Sequence, residues 1–144
     1  MKFVGEILSA KGTDVWSVTP QHTVFAALVL MAEKEVGALL VLDGESLVGV
    51  FSERDYARKV ILEDKSSKDT SVSEVMSAPV FSVGPDQSIE DCMSLMTEKR
   101  ARHLPVLEDG KLIGLISIGD VVKAVISERE AVIGQLESYI TGTH

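Results

Sequence analysis

The sequence is poor in the residues on which much protein chemistry is built. A single cysteine, Cys92, excludes an internal disulfide, and the three histidines, His22, His103 and His144, are too scattered for any metal-ligand spacing. Redox and zinc chemistry are not expected, and no metal is required. Basic residues are outnumbered, 14 against 22 acidic ones, and the net charge of -8 would repel a phosphate backbone. Nucleic acid is therefore not an expected partner, although a local arginine cluster can still hold one phosphate. No apolar run approaches the roughly 18 residues of a membrane span, so no membrane association is expected. The stretch Met1-Lys2-Phe3-Val4-Gly5-Glu6 lacks the basic-then-apolar pattern of a secretory signal, which makes a cytoplasmic protein the expectation. No GxxxxGK[ST] phosphate loop or full GxGxxG fingerprint occurs, and the candidate serines have no histidine nearby in sequence. An enzyme is not expected.

What is present is an ordinary globular composition arranged as a duplication. Apolar residues make up 45% and charged residues 25% of 144, enough for a genuine core. Val15-Trp16-Ser17-Val18-Thr19-Pro20 aligns with Val80-Phe81-Ser82-Val83-Gly84-Pro85 at an offset of 65 residues, which continues without a gap to Ile61. It carries Leu30-Met31 onto Leu95-Met96, Glu33-Lys34 onto Glu98-Lys99, Val41-Leu42 onto Val106-Leu107, and Gly49, Ser52 and Asp55 onto Gly114, Ser117 and Asp120.

Each copy reads as strand, helix, two strands, helix, an α/β (α+β) unit. Val15 to Val18 is a short β-rich run stopped by Pro20, with Val80 to Val83 as its twin. Thr23 starts a helix with Val24, Ala27, Leu28 and Met31 on one face, and Ser88 with Asp91 caps the matching helix. Ala38 to Leu42 and Leu47 to Phe51 form a hairpin about Asp43-Gly44, mirrored about Asp109-Gly110. The second helices run from about Glu53 to Leu62 and from Gly119 to Ser127, and Lys65 to Thr70 is a short polar linker. Val125, Ile126, Ile133, Leu136 and Ile140 then mark a terminal helix. The expected division is 1–66 for the first repeat with the N-terminal segment, 67–130 for the second repeat, and 131–144 for the last helix. Two such units should pack face to face about a pseudo-two-fold axis, giving two related clefts.

The recurring element with chemical potential is Gly-x-x-Ser-x-x-Asp, at Gly49 to Asp55 and Gly114 to Asp120, where a strand ends and a helix begins. Two readings stand. Free N–H groups and the positive helix end favour a phosphate, and a carboxylate one turn in can accept hydrogen bonds from a ribose diol. Equally, serine and the acid three residues on form a capping box.

The repeat and its motif resemble the cystathionine-β-synthase (CBS) domain, and the tandem pair resembles a Bateman module, over residues 5 to 130. Ser52-Glu53-Arg54-Asp55-Tyr56-Ala57-Arg58-Lys59, Arg102-His103-Leu104-Pro105-Val106 and Ser117-Ile118-Gly119-Asp120-Val121-Val122-Lys123 are similar to stretches of small stand-alone members. The resemblance implies that Asp55 and Asp120 hold ribose hydroxyls while Ser52 and Ser117 reach toward ribose or phosphate. It implies adenine contacts at Val15, Trp16, Val18, Gly37 and Ala38 in one site. In the other they fall on Pro79, Val80, Phe81, Arg102, His103 and Pro105, with Ile118 in the turn itself. Because Gly37-Ala38 stands where the second copy has Arg102-His103, the sites should not be equivalent. The implied ligand is an adenine nucleotide, AMP first, with NAD or ATP as alternatives, and the implied assembly is a homodimer that regulates an unidentified effector protein.

Arg100, Arg102 and His103 form a basic cluster suited to phosphate, against the alternative of a solvated helix end. Arg54 leads a second cluster with Arg58 and Lys59, whose late helical position equally suits the dipole. Trp16 is read as core or interface sooner than as a stacking surface, and Cys92, beside Met93 and Met96, as core packing. The competing function is a ligand-free structural or interaction module.

Overall fold

The computed structural model describes residues 2–141, so His144 lies outside the described residues. Its elements are α1 (Val4–Lys11), β1 (Ser17–Val18), α2 (Val24–Lys34), β2 (Ala38–Asp43), β3 (Ser46–Ser52), α3 (Glu53–Tyr56) continued by a π-helical turn (Ala57–Ile61), α4 (Val72–Val75), α5 (Ile89–Lys99), β4 (His103–Glu108), β5 (Lys111–Ser117) and α6 (Ile118–Thr141). The chain forms two compact units, one of Asp14–Val80, the other of the described parts of Met1–Thr13 and Phe81–His144.

The hairpins form as the alternating apolar pattern requires. Ala38 pairs with Ser52 and Leu40 with Val50, while His103 pairs with Ser117 and Pro105 with Leu115. Each carries a bulge at the same place, between Val41 and Leu42 or between Val106 and Leu107. The turns use left-handed backbone at Gly44, and at Asp109 and Gly110. Thr23 and Ser88 cap α2 and α5 as expected, accepting from the N–H groups of Ala26 and Asp91.

The first strands are shorter than the sequence predicts. Only Ser17 and Val18 pair in parallel with β2, and the twin region is reduced to one bridge between Val83 and Val106. The missing residues are the early ones, and past the pairing residues the chain enters turns: the Thr19 N–H donates to His22 Nδ1, and the Gly84 N–H to Gln87 Oε1. The final helix is longer than expected. It does not stop near Ser127 before a separate 131–144 segment but runs unbroken from Ile118 to Thr141, since no proline interrupts it.

The core of each unit is filled by equivalent residues. Val18, Val24, Ala27, Met31, Leu39, Val41 and Phe51 fill the first; Val83, Ile89, Cys92, Met96, Leu104, Val106 and Ile116 fill the second, each 65 positions later. Cys92 thus stands where Ala27 stands and is fully buried. Burial, aided by the nearby Asp91 carboxylate, pushes its thiol up to about 11, as befits a packing residue.

A second repeat, out of phase with the first, completes both cores. Val4-Gly5-Glu6-Ile7-Leu8-Ser9-Ala10 matches Val72-Ser73-Glu74-Val75-Met76-Ser77-Ala78 at an offset of 68 residues. Val72 and Val75 of α4 enter the core of the Asp14–Val80 unit, and Val4, Ile7 and Leu8 of α1 enter the other. The N-terminal segment, expected to accompany the first repeat, therefore packs with the second. The linker is equally committed: Val24 and Phe25 N–H groups at the start of α2 donate to the Thr70 and Ser67 carbonyls, as Ile89 donates to Lys2.

These segments explain the motif glycines. A Cβ at Gly49 would lie 2.5 Å from Met76 Sδ, and one at Gly114 would lie 2.6 Å from Leu8 Cδ2. Each glycine admits a neighbouring segment of its own unit, the end of α4 at Gly49 and α1 at Gly114. Gly114→Ala should therefore force buried Leu8 to shift and lower unfolding free energy by about 1–3 kcal/mol. Gly134→Ala, in α6 with open space around its Cα, should instead raise it by up to about 1 kcal/mol. Urea denaturation of the two variants measures both changes.

Candidate functional site

Each Ser-x-x-Asp element sits at a strand-to-helix junction pinned by one backbone bond. The Glu53 N–H donates to the Gly37 carbonyl, and the Ile118 N–H to the Arg102 carbonyl. With Ala38 opposite Ser52 and His103 opposite Ser117, the structure brings Gly37 and Ala38 to the first turn and Arg102 and His103 to the second. Arg54 is exposed on α3 and Ile118 is exposed at the start of α6.

Both turns form the capping geometry. The Ser52 N–H donates to Asp55 Oδ2 at 2.9 Å and the Asp55 N–H returns to Ser52 Oγ at 3.2 Å. In the second turn, Ser117 N–H to Asp120 Oδ2 is 2.8 Å and Asp120 N–H to Ser117 Oγ is 3.2 Å. Beyond that the two carboxylates differ. Asp55 is buried at 6% exposure, and three further groups reach it. Ser52 Oγ donates to Oδ2 at 3.0 Å, Ser77 Oγ donates to Oδ1 at 2.8 Å, and Lys59 Nζ stands 3.1 Å from Oδ1. Asp120 is less covered and takes one cation, Lys11, whose Nζ is 2.7 Å from Oδ2. Burial works against its charged form, but the Lys11 hydrogen bond, the Ser117 N–H and the Lys11 charge outweigh it and hold the carboxyl below its usual range.

The cause of the difference is Pro79, which occupies the position matching Lys11 in the out-of-phase repeat. Proline cannot continue a helix, and the residue before it is driven to extended backbone. So α4 stops at Val75, and Ser77 runs extended, its N–H and carbonyl both bonded to Val50. In the other unit α1 continues to Lys11, and Ser9 turns its hydroxyl back onto the Gly5 carbonyl. Lys11 Nζ then donates to the Leu115 carbonyl at 2.9 Å as well as to Asp120. Leu115 is the counterpart of Val50, so one ammonium makes the two donations, to the strand carbonyl and to the carboxylate, that Ser77 makes with its N–H and its hydroxyl.

The remaining expected residues lie at varied distances from these turns. Trp16 is bonded to β2 through its carbonyl, which accepts from the Leu40 N–H, and its ring is covered by Lys34 Nζ at 4.4 Å. Phe81, its counterpart, is covered by Lys99 at 5.5 Å. Val15 is half-buried, whereas the Val18 and Pro105 side chains are committed to the interior. Pro79 and Val80 end the unit that holds Asp55, while Phe81 opens the second stretch of the one that holds Asp120. Arg100 is the left-handed C-cap of α5 and is exposed, at the helix end and not at the turn. Lys11 and Ser77 were not among the expected residues; the 68-residue repeat was the signal that marks them.

Beside Asp120 lies a pocket of about 310 Å3 between α1 and α6, lined by Lys2, Lys11, Lys123 and Ser127 among others. Among the described residues no cluster of His, Cys, Asp and Glu could hold a metal ion, and no helix is long and apolar enough to cross a membrane. Asp55→Ala should lower unfolding free energy by about 1–3 kcal/mol, because Ser52, Ser77 and Lys59 lose a buried acceptor. Asp120→Ala should cost less, and chemical denaturation of both variants compares them.

The model of the CBS domain family matches residues 4–62 and 72–127, beginning at the two equivalent helices α1 and α4. The chain is 40% identical over 139 residues to the mitochondrial CBS domain-containing protein CBSX3 of Arabidopsis thaliana, covering 93% of this chain and 67% of that protein. A solved Burkholderia ambifaria protein with CBS domains is 56% identical and superposes with a TM-score of 0.83, over 88% of this chain and 95% of its own. At 18% identity, the CBS domain pair of protein MJ0100 in complex with 5′-methylthioadenosine and S-adenosyl-L-methionine shares the fold alone, with a TM-score of 0.77 over 89% and 98% of the two chains. With both repeats matched and the strand-to-helix turns in place, the chain belongs to the CBS domain family as a tandem pair.

Proposed function

We propose that this CBS pair is a non-catalytic regulatory module that binds an adenine nucleotide at its Ser-x-x-Asp turns and alters an effector protein in response. AMP is the first candidate, and NAD or ATP would use the same adenosine contacts. The observation that carries the reading is the turn at Ser117 to Asp120. An ionised carboxylate one turn into α6 borders an open pocket, with Asp120 Oδ2 engaged by Ser117 and Lys11. A ribose diol presents two donors to such a group. The adenosine-containing ligands in the MJ0100 complex are of the same chemical class. The first turn is the weaker site in this reading, since displacing the partners of Asp55 would disturb Ser77, which bridges to Val50. Occupancy favours whichever conformation binds better, and that shift is the signal.

A second role is favoured by a separate observation. Val122, Ile126, Ile133, Leu136 and Ile140 are each at least half exposed along α6, at spacings that keep them on one face. We propose that this face buries against a second copy in a homodimer, and a hexameric CBS-CP12 protein among the structural relatives is likewise an oligomer.

In a thermal-shift panel of nucleotides, a ligand at 100 times its dissociation constant should add about 2.7 kcal/mol, which raises Tm by roughly 5–10 °C. Asp120→Ala should remove most of that rise; an equal rise in the variant would contradict the site. Leu136→Glu should reduce the particle mass in sedimentation equilibrium to that of one chain, and an unchanged mass would place any interface elsewhere.

A further inference from the structure

The two turns are opened by different means. Around Asp55 the added contacts include Ser77, whose backbone is tied to Val50 by two hydrogen bonds. At Asp120 the corresponding place is taken by one lysine side chain, 37% exposed, which can swing away without breaking a backbone pair. A ligand that used both oxygens of Asp120 would have to displace Lys11 from Oδ2. The ammonium would then be left beside a pocket that already contains Lys2 and Lys123. Glu6 also lines that pocket, but it accepts from the Phe3 N–H. Among the described groups lining the pocket, three cations face two carboxylates, one of which the ligand would claim.

We propose that Lys11 is the specificity-determining residue of the second turn, exchanging the Asp120 carboxylate for a ligand phosphate and so selecting phosphorylated nucleosides over neutral ones. A neutral nucleoside takes the carboxylate from the ammonium and leaves three cations to Glu6 alone; a nucleotide supplies a further negative charge as it takes the carboxylate away. The inference rests on the adenine-nucleotide reading and adds the basis of its charge selection. Lys2 and Lys123 strengthen the local field, but of these three lysines it is Lys11 that is bonded to the carboxylate. In the first turn Pro79 stands where Lys11 stands, and the cation on Asp55 is Lys59 from the same helix, whose departure would leave Ser77 still bonded to Oδ1.

The test is isothermal titration of the full chain with adenosine and with AMP at fixed salt. Wild type should bind AMP at least about tenfold more tightly than adenosine, the size expected of a charge-assisted hydrogen bond. Lys11→Met should bring the two within about threefold, chiefly by weakening AMP, and Lys11→Arg should retain the preference. Because Lys11 is a partly exposed helix-end residue, circular dichroism should show both variants folded. Asp120→Ala should remove most of the AMP signal; an undiminished signal would overturn the assignment of the preference to this turn. A wild-type AMP preference preserved in Lys11→Met would overturn the role of Lys11 while leaving nucleotide binding intact. Absence of binding by wild type to adenosine, AMP, ATP and NAD alike would overturn the nucleotide reading and this inference together.

Discussion

A carboxylate placed one turn into a helix, at the edge of a packed core, holds each of these units together. An ion in that position is tolerated only when its lone pairs are met, because desolvation otherwise costs more than burial returns. Asp55 draws its partners from the strand end, the helix itself and the extended Ser77 after α4; Asp120 draws its own from the strand end and α1. Among the described residues no buried side-chain polar atom lacks a partner. Strand end, helix start and the third segment, Ser77 in one unit and α1 in the other, therefore meet at a single point, and that point also presents the helix start to solvent.

The duplication supplies this arrangement twice, and one residue makes the copies unequal. Where Pro79 ends the short helix, an extended serine meets Asp55 from a backbone already tied to β3. Where Lys11 continues the longer helix, an ammonium on a flexible stem meets Asp120. The first arrangement is set by hydrogen bonds within the chain framework, the second by a side chain that has other rotamers available. Identical motifs can thus differ in how readily they open, and the unequal adenine-side residues, Gly37-Ala38 against Arg102-His103, add to that difference.

Much of this was legible in the sequence because local patterns and local outcomes coincide. Thr23 and Ser88 cap the helices they precede, the hairpins turn at Asp43-Gly44 and Asp109-Gly110, and Cys92 packs where Ala27 packs. The first strands are shorter than their β propensity suggests, because pairing depends on what lies beside them and begins only at Ser17 in one copy and Val83 in the other. The last helix was divided in two because its apolar face changes neighbours along its length although its backbone does not break. Gly49 and Gly114 belonged to a recognisable motif, yet their purpose lies in the close approach of Met76 and Leu8.

The sequence by itself determined the repeated unit, the elements within it, and the serine-and-acid pair at each helix start, since all of these follow from spacings of a few residues. Only the tertiary structure decided that α1 serves the second repeat, that Ser77 closes over Asp55, and that Lys11 reaches Asp120 across 109 positions of chain. Those pairings depend on which helix fills which sheet, a choice made by matching apolar volumes in the core, and no short-range pattern records it.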